Sequence, residues 1–260
     1  MRVFPAVEVV DGAGVRIRRY IGVLPREIDP FLLLDEIKSS DPEDYRGGFP
    51  PHPHRGFQTI TYMIKGKFKH KDSSGGEGVL EEGWVQWMNA GRGVVHSEMP
   101  LTDRGLLWGF QLWINNPASY KMSDPFYHSF PAKRRTVSEG VVLYDLVGDV
   151  MRKKGFYPLT YLHIQMDAGR TFRIDLPEEN ATFLAVSEGT VVLNGEKIGG
   201  GHLAVPDSSG ITIRSVSRSH ILLGSAKPLG EPIVRWGPFV MTSEEEIRKA
   251  VEDFRTGKFT

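Results

Sequence analysis

His52-Pro53-His54-Arg55-Gly56-Phe57-Gln58-Thr59-Ile60-Thr61-Tyr62-Met63-Ile64-Lys65-Gly66, with its counterpart Val94-Val95-His96-Ser97-Glu98, is the stretch on which the reading of this chain turns. Thr59 to Ile64 is rich in β-branched and aromatic residues and is expected to be a strand, ended by Gly66. Side chains two apart on a strand share a face, so His52 projects with His54, and His96 with Glu98. On facing strands the two pairs bring three imidazoles and one carboxylate to one point. That donor set suits a mononuclear Fe, Mn, Ni, Co, Cu or Zn ion. One His-x-His carries little weight, because strands also use histidines for packing. Two ligand-type pairs beside Gly and Pro punctuation, joined by strand-like sequence, carry much more.

Working outward, prolines 50, 51 and 53 stiffen the backbone entering the histidines and favour extended geometry. Upstream, Val7–Val10 and Val15–Arg18 flank Asp11-Gly12-Ala13-Gly14 as a β-hairpin, and Asp29 to Glu36 reads as a short buried strand. Downstream, Lys67 to Lys71 alternates as one solvated strand face. Trp84 to Met88 is a further strand, and Asn89 to Gly93 turns the chain back towards His96. Leu106 to Ile114 continues the β pattern, with Gln111 and Trp113 on one face.

A repeat connects the halves. Phe183 to Gly189 resembles Ile60 to Gly66, and Gly201 to Pro206 resembles Gly83 to Met88, at offsets of 123 and 118 positions. These offsets carry the ligand positions to Arg173-Ile174-Asp175 and Ile213-Arg214-Ser215, where no histidine stands. The second unit is therefore expected to lack a metal. Near the end, Ser243 and Glu246 have capping-box spacing, and Ile247, Ala250, Val251 and Phe254 form the apolar stripe of a helix.

The 260 residues allow one large or two ordinary domains. Lys+Arg and Asp+Glu balance at 32 each, which gives no bulk field for a polyanion, so direct nucleic-acid binding is not expected. The absence of cysteine excludes disulfides, thiolate ligands and a cysteine nucleophile. With no membrane-length apolar run and no signal-peptide pattern at Met1-Arg2-Val3-Phe4-Pro5, an intracellular, cytoplasmic location is the expectation.

The chain resembles the pirin family of the cupin superfamily over nearly its whole length. The resemblance is carried by Asp29-Pro30-Phe31-Leu32-Leu33-Leu34-Asp35-Glu36, Gly48-Phe49-Pro50, and His52-Pro53-His54-Arg55-Gly56-Phe57. Gln86-Trp87-Met88, Ala90-Gly91-Arg92-Gly93, His96-Ser97-Glu98-Met99-Pro100 and Gly237-Pro238-Phe239-Val240-Met241 complete it. It implies an all-β bicupin: two packed antiparallel β-barrels of jelly-roll type with a C-terminal helix. The expected divisions are a metal-binding barrel over 1–133, a metal-free barrel over 134–229, and an extended segment and helix over 230–260. It also implies one divalent metal held by His52, His54, His96 and Glu98, usually iron.

The activity implied is that of a quercetin 2,3-dioxygenase, which opens a flavonol with O2. Some eukaryotic members are instead transcriptional cofactors, so a redox-sensitive iron protein that binds protein partners is the alternative. Under the enzyme reading Glu98 is also a candidate proton acceptor. Many cupins carry Glu four residues after the second His, where this chain has Gln58. By strand parity Gln58 faces with His52 and His54, as a hydrogen-bonding neighbour. Phe57, Trp87, Met88 and Trp113 either line a pocket for a small aromatic substrate or belong to the core. Arg55 and Arg92 either hold an anion or brace the loops. His70, His128, His163, His202 and His220 lack partners at ligand spacing and read as structural or exposed.

Overall fold

Proline fixes where the first ligand strand can lie. The stretch Phe49–His54 contains prolines 50, 51 and 53, which cannot donate to a ladder, and in the computed structural model it is the edge strand of a four-stranded sheet. The structure describes residues 1–22, 28–154 and 158–259.

In chain order the strands begin with β1 (Arg2–Pro5), β2 (Val7–Asp11), β3 (Val15–Ile21), β4 (Phe31–Ser39), β5 (Phe49–His54) and β6 (Phe57–Lys65). Next come β7 (Phe68–Asp72), β8 (Glu77–Leu80), β9 (Trp84–Asn89), β10 (Val94–Pro100), β11 (Leu107–Asn115) and β12 (Phe126–Pro131). The second half contains β13 (Lys133–Ser138), β14 (Val141–Asp145), helix α1 (Gly148–Lys154), β15 (Leu159–Met166), β16 (Thr171–Asp175) and β17 (Ala181–Glu188). It continues with β18 (Thr190–Leu193), β19 (Glu196–Gly199), β20 (His202–Val205), β21 (Gly210–Ser215) and β22 (Ser219–Ala226). The chain closes with β23 (Val234–Trp236), β24 (Phe239–Met241) and α2 (Glu244–Arg255).

Two units share one plan. The first has a seven-stranded sheet ordered β12-β9-β6-β11-β4-β3-β2 and a four-stranded sheet ordered β5-β10-β7-β8. The second repeats it as β1-β20-β17-β22-β15-β14-β13 and β16-β21-β18-β19. These are open, antiparallel jelly-roll sheets rather than closed barrels, so the all-β bicupin expectation holds with that amendment. In each unit the core lies between the two sheets. Val15, Ile17 and Met63 meet Phe68 and Leu80 in the first, and Leu184 and Ile221 meet Ile211 and Ile213 in the second.

The units interleave along the chain instead of following as three successive stretches. One comprises Glu8–Arg19, Phe31–Pro131 and Leu229–Thr260, and the other Met1–Val7, Tyr20–Pro30 and Ala132–Pro228. Pairing explains part of this: β1 joins the second unit through β20, with Arg2 opposite Val205. Among the described residues, no helix is long and apolar enough to cross a membrane.

Candidate metal centre and its cavity

The site is built from a short-range register and a sheet-wide row. On the small sheet, β10 lies between β5 and β7, with His96 opposite His52 on one side and Asp72 on the other. Val94 lies opposite His54, and the register shifts between His96 and Glu98. The ligand atoms of His52, His54 and His96 all lie within 4.8 Å of one another. Glu98 falls in a second, overlapping set, within the same limit of His96 and His70.

His70, which the sequence suggests is structural or exposed, is in fact fully buried at the site. The alternation of β7 turns Lys69 and Lys71 out and puts Phe68, His70 and Asp72 inside. The His70 Nε2 lies 2.8 Å from an Asp72 oxygen, and its ring stacks on Tyr127 at 4.3 Å. With Nε2 engaged by Asp72, Nδ1 is the His70 ring atom left for another partner.

The imidazoles have the electronic state of ligands. Burial, then the neighbouring His52, pushes His54 well below its ordinary range. Burial, then His54, His52 and His70, does the same to His96. Both rings are therefore neutral near pH 7, with lone pairs available. The Nδ1 of His54, the Nδ1 of His70 and both ring nitrogens of His96 are buried without a hydrogen-bond partner. Buried polar atoms are normally satisfied, and a bound cation would take up the lone pairs among these orphans. His52 Nδ1–H donates to the Pro50 carbonyl at 2.8 Å, which leaves Nε2 as the ring atom that could meet a metal. The donor set fits a divalent transition metal, with no thiolate, three imidazoles in one group and Glu98 in the group that shares His96.

Glu98 is held by a row of side chains running across the large sheet. Gln111 on β11 lies opposite Thr61 on β6, which lies opposite Gln86 on β9. All three donate to Glu98. Gln86 Nε2 reaches Oε1 at 2.7 Å, Gln111 Nε2 reaches Oε2 at 2.6 Å, and the Thr61 hydroxyl reaches Oε1 at 3.3 Å. Trp113 Nε1 in turn donates to Gln111 Oε1 at 3.0 Å. Only the shared face of Gln111 and Trp113 was visible in the sequence, because residues in one row are far apart along the chain.

A cavity of about 550 Å³ opens over the site, bounded by Phe49, Phe110, Trp113, Gln111, Arg235 and the candidate ligands His52, His54 and Glu98. Trp113 stacks on Phe57 at 4.3 Å and stands edge-on to His54 at 5.0 Å. Phe57 lies behind it, fully buried. Trp87 and Met88 do not line the cavity: Trp87 packs edge-on against Phe126, and Met88 clusters with Ala90 and Val94.

Gln58 also departs from expectation. The chain turns at Gly56, with φ +90°, which resets the alternation between β5 and β6. Thr61 and Met63 of β6 then line the cavity, while Gln58 has the opposite parity. Its amide donates to Asn116 at 2.7 Å and its carbonyl accepts from Trp87 Nε1 at 2.7 Å. Arg55 and Arg92 are braces. Arg55 pairs with Asp253 at 3.0 Å and donates to the Arg92 carbonyl, and Arg92 pairs with Asp124.

Fold and site together define a bicupin with a histidine–carboxylate cluster suited to a metal. Comparison with known proteins narrows this. Residues 14–114 match the pirin domain and residues 161–260 the pirin C-terminal cupin domain. A pirin-like protein of Caulobacter vibrioides is 38% identical, with 100% of each chain covered. A Pseudomonas aeruginosa protein, provisionally named quercetin 2,3-dioxygenase, is 40% identical over 95% of this chain and 93% of its own. A crystal structure of quercetin 2,3-dioxygenase from Acinetobacter baumannii superposes with a TM-score of 0.91 at 32% identity, covering 100% of this chain and 97% of that one. The chain belongs to the pirin family.

Proposed function

We propose that this protein is an iron-dependent dioxygenase that opens a flavonol-type aromatic enol with O2, using His52, His54, His96 and Glu98 as metal ligands. The observation that carries this reading is the set of orphaned imidazole nitrogens beneath a cavity with a tryptophan wall. The likeness to proteins named quercetin 2,3-dioxygenase supports it. A bound Fe(II) would supply a Lewis acid for the ionised enol and an electron partner for O2.

The chain's own residues do the rest. Three neutral imidazoles and one carboxylate leave a divalent site near +1, which favours an enolate over the neutral enol. Trp113 offers a rigid aromatic wall that orients a flat ring, with Phe57 stacked behind it. Glu98 accepts the substrate's hydroxyl proton at Oε2, which has one donor, Gln111, where Oε1 has two. The Gln86 and Gln111 amides keep the carboxylate aimed throughout.

The test is O2 uptake by anaerobically purified, Fe(II)-loaded protein supplied with quercetin. Flavonol-dependent uptake above that of free Fe(II) is the expected result. Its absence removes the enzyme reading and leaves a metal-holding protein that acts through partners.

A further inference from the structure

Among the described residues, two arginines line the cavity, and only one of them is tied to carboxylates. Arg19 grips Asp35 through Nε and Nη2, both at 2.8 Å, and reaches Asp11 from Nη2 at 2.9 Å. Both Asp35 oxygens are thereby occupied. The other oxygen of Asp11 accepts from the Gly12 N–H at 2.8 Å. Arg235, on β23, lines the same cavity, and among the described residues its one hydrogen bond is a long Nε contact to the Gly237 carbonyl at 3.4 Å. Asp35 and Asp11 contribute to its field, but among the described residues neither accepts a hydrogen bond from it.

The position of Arg235 matters as much as its spare donors. Its guanidinium carbon lies 5.0 Å from the centroid of Trp113, the ring that stands edge-on to His54. A cation on a tryptophan face is held in orientation without using its N–H groups. Its charge is felt at the metal cluster, where it adds to the depression of His54. Arg55 and Arg19 are each tied to a carboxylate, Asp253 and Asp35, whereas Arg235, an exposed residue, has none on its guanidinium among the described residues. Arg235 thus places a guanidinium on the wall of the cavity beside Trp113, and such a planar N–H fork is suited to a carboxylate or another ionised oxygen.

We propose that Arg235 is a specificity-determining residue that recognises an anionic group on a flat aromatic ligand, at a point remote from the oxygen that faces His52, His54 and His96. The substrate class follows: a planar enol carrying a carboxylate or similarly ionised oxygen away from the reacting carbon. This deepens the dioxygenase reading and rests on it for the reaction, whereas the recognition step is a binding event that stands by itself.

The experiment uses full-length protein loaded with redox-inert Zn(II), so that binding is measured without turnover. The probes are 3-hydroxyflavone and its 4′- and 7-carboxylates, titrated calorimetrically into wild type, Arg235→Gln and Arg235→Lys. Wild type is expected to bind at least one carboxylate about tenfold more tightly than the parent, the scale of a charge-assisted hydrogen bond. Arg235→Gln should reduce that preference to about twofold or less, and Arg235→Lys should keep part of it, as a point charge without the fork. Zinc content of each variant is the control for folding. No preference in wild type, no binding of any probe, or a preference that survives Arg235→Gln overturns the proposal. Failure of the dioxygenase reading shows separately, as no O2 uptake by the Fe(II) form with any of the three flavonols while the preference remains.

Discussion

At the scale of single residues, the site depends most on the side chain that both donor sets share. His96 belongs with His52 and His54 and also with His70 and Glu98, so it is the residue the cluster can least lose. His96→Ala should therefore lower metal content more than His52→Ala or His70→Ala does, as read by elemental analysis of folded protein; equal losses in the three would contradict the overlap. For Glu98→Gln, size is kept while the carboxylate charge goes, raising a divalent site to about +2 and removing the acceptor at Oε2. Metal affinity should fall modestly and turnover by about 10²-fold, the usual scale of general-base catalysis, in a quercetin oxygen-uptake assay. The pairs His52/His54 and His96/Glu98 were legible in the sequence because their members are two apart on a strand. His70 was not, since a single histidine on β7 gains its meaning only from its neighbour on β10. Gln86 and Thr61 were hidden for the same reason.

At the scale of elements, the C-terminal segment braces the turn that follows the first histidine pair. Arg55 forms a parallel bridge with Phe239, its N–H donating to the Pro238 carbonyl and its carbonyl accepting from Val240 N–H. A Cβ at Gly56 would come within 2.0 Å of the Val240 carbonyl, so only glycine permits this approach. Buried Lys121 ties the same two backbones, donating to the carbonyls of Gly56 and Val240 at 2.9 Å each. From α2, Asp253 pairs with Arg55 in the interior and with Lys258 at its other oxygen. Arg55→Met should cost about 3 kcal/mol, the low end for breaking a buried pair, because Lys258 remains on Asp253. Thermal melting checks this, and a loss under about 1 kcal/mol would show that the pair braces nothing. The helix itself was readable from its capping box, which forms between Ser243 and Glu246. Its target was not, because Asp253 and Arg55 are 198 positions apart and neither residue type signals the other.

At the scale of the whole molecule, the same sheet plan holds two different interiors. The repeat in the sequence matches the topology: β17 lies beside β20 as β6 lies beside β9, and β16 pairs with β21 as β5 pairs with β10. Where the first unit has its histidines, the second packs Phe172, Ile174, Ile211 and Ile213 into its core. Strand spacing made that repeat legible, whereas the pairing of distant histidines could not be read from it. His163 on β15 and His220 on β22 meet at 3.0 Å between Nε2 and Nδ1, although neither has a partner at ligand spacing in the sequence. Burial, then His220, pushes the His163 imidazole down to about 3. Above pH about 6.5 the ring is neutral folded or unfolded and costs nothing. Between there and about 3 the unfolded chain takes up a proton that the folded protein refuses, so stability falls as pH falls through that window. His163→Gln removes this proton uptake and leaves the similarly depressed His54 and His96 in both proteins, so their share cancels in the comparison. Between pH 7.5 and pH 5 the melting temperature of wild type should drop more steeply than that of the variant. Hydrogen exchange should place the difference in β15 and β22, and parallel melting curves in the two proteins would show that the buried pair does not set the acid limit.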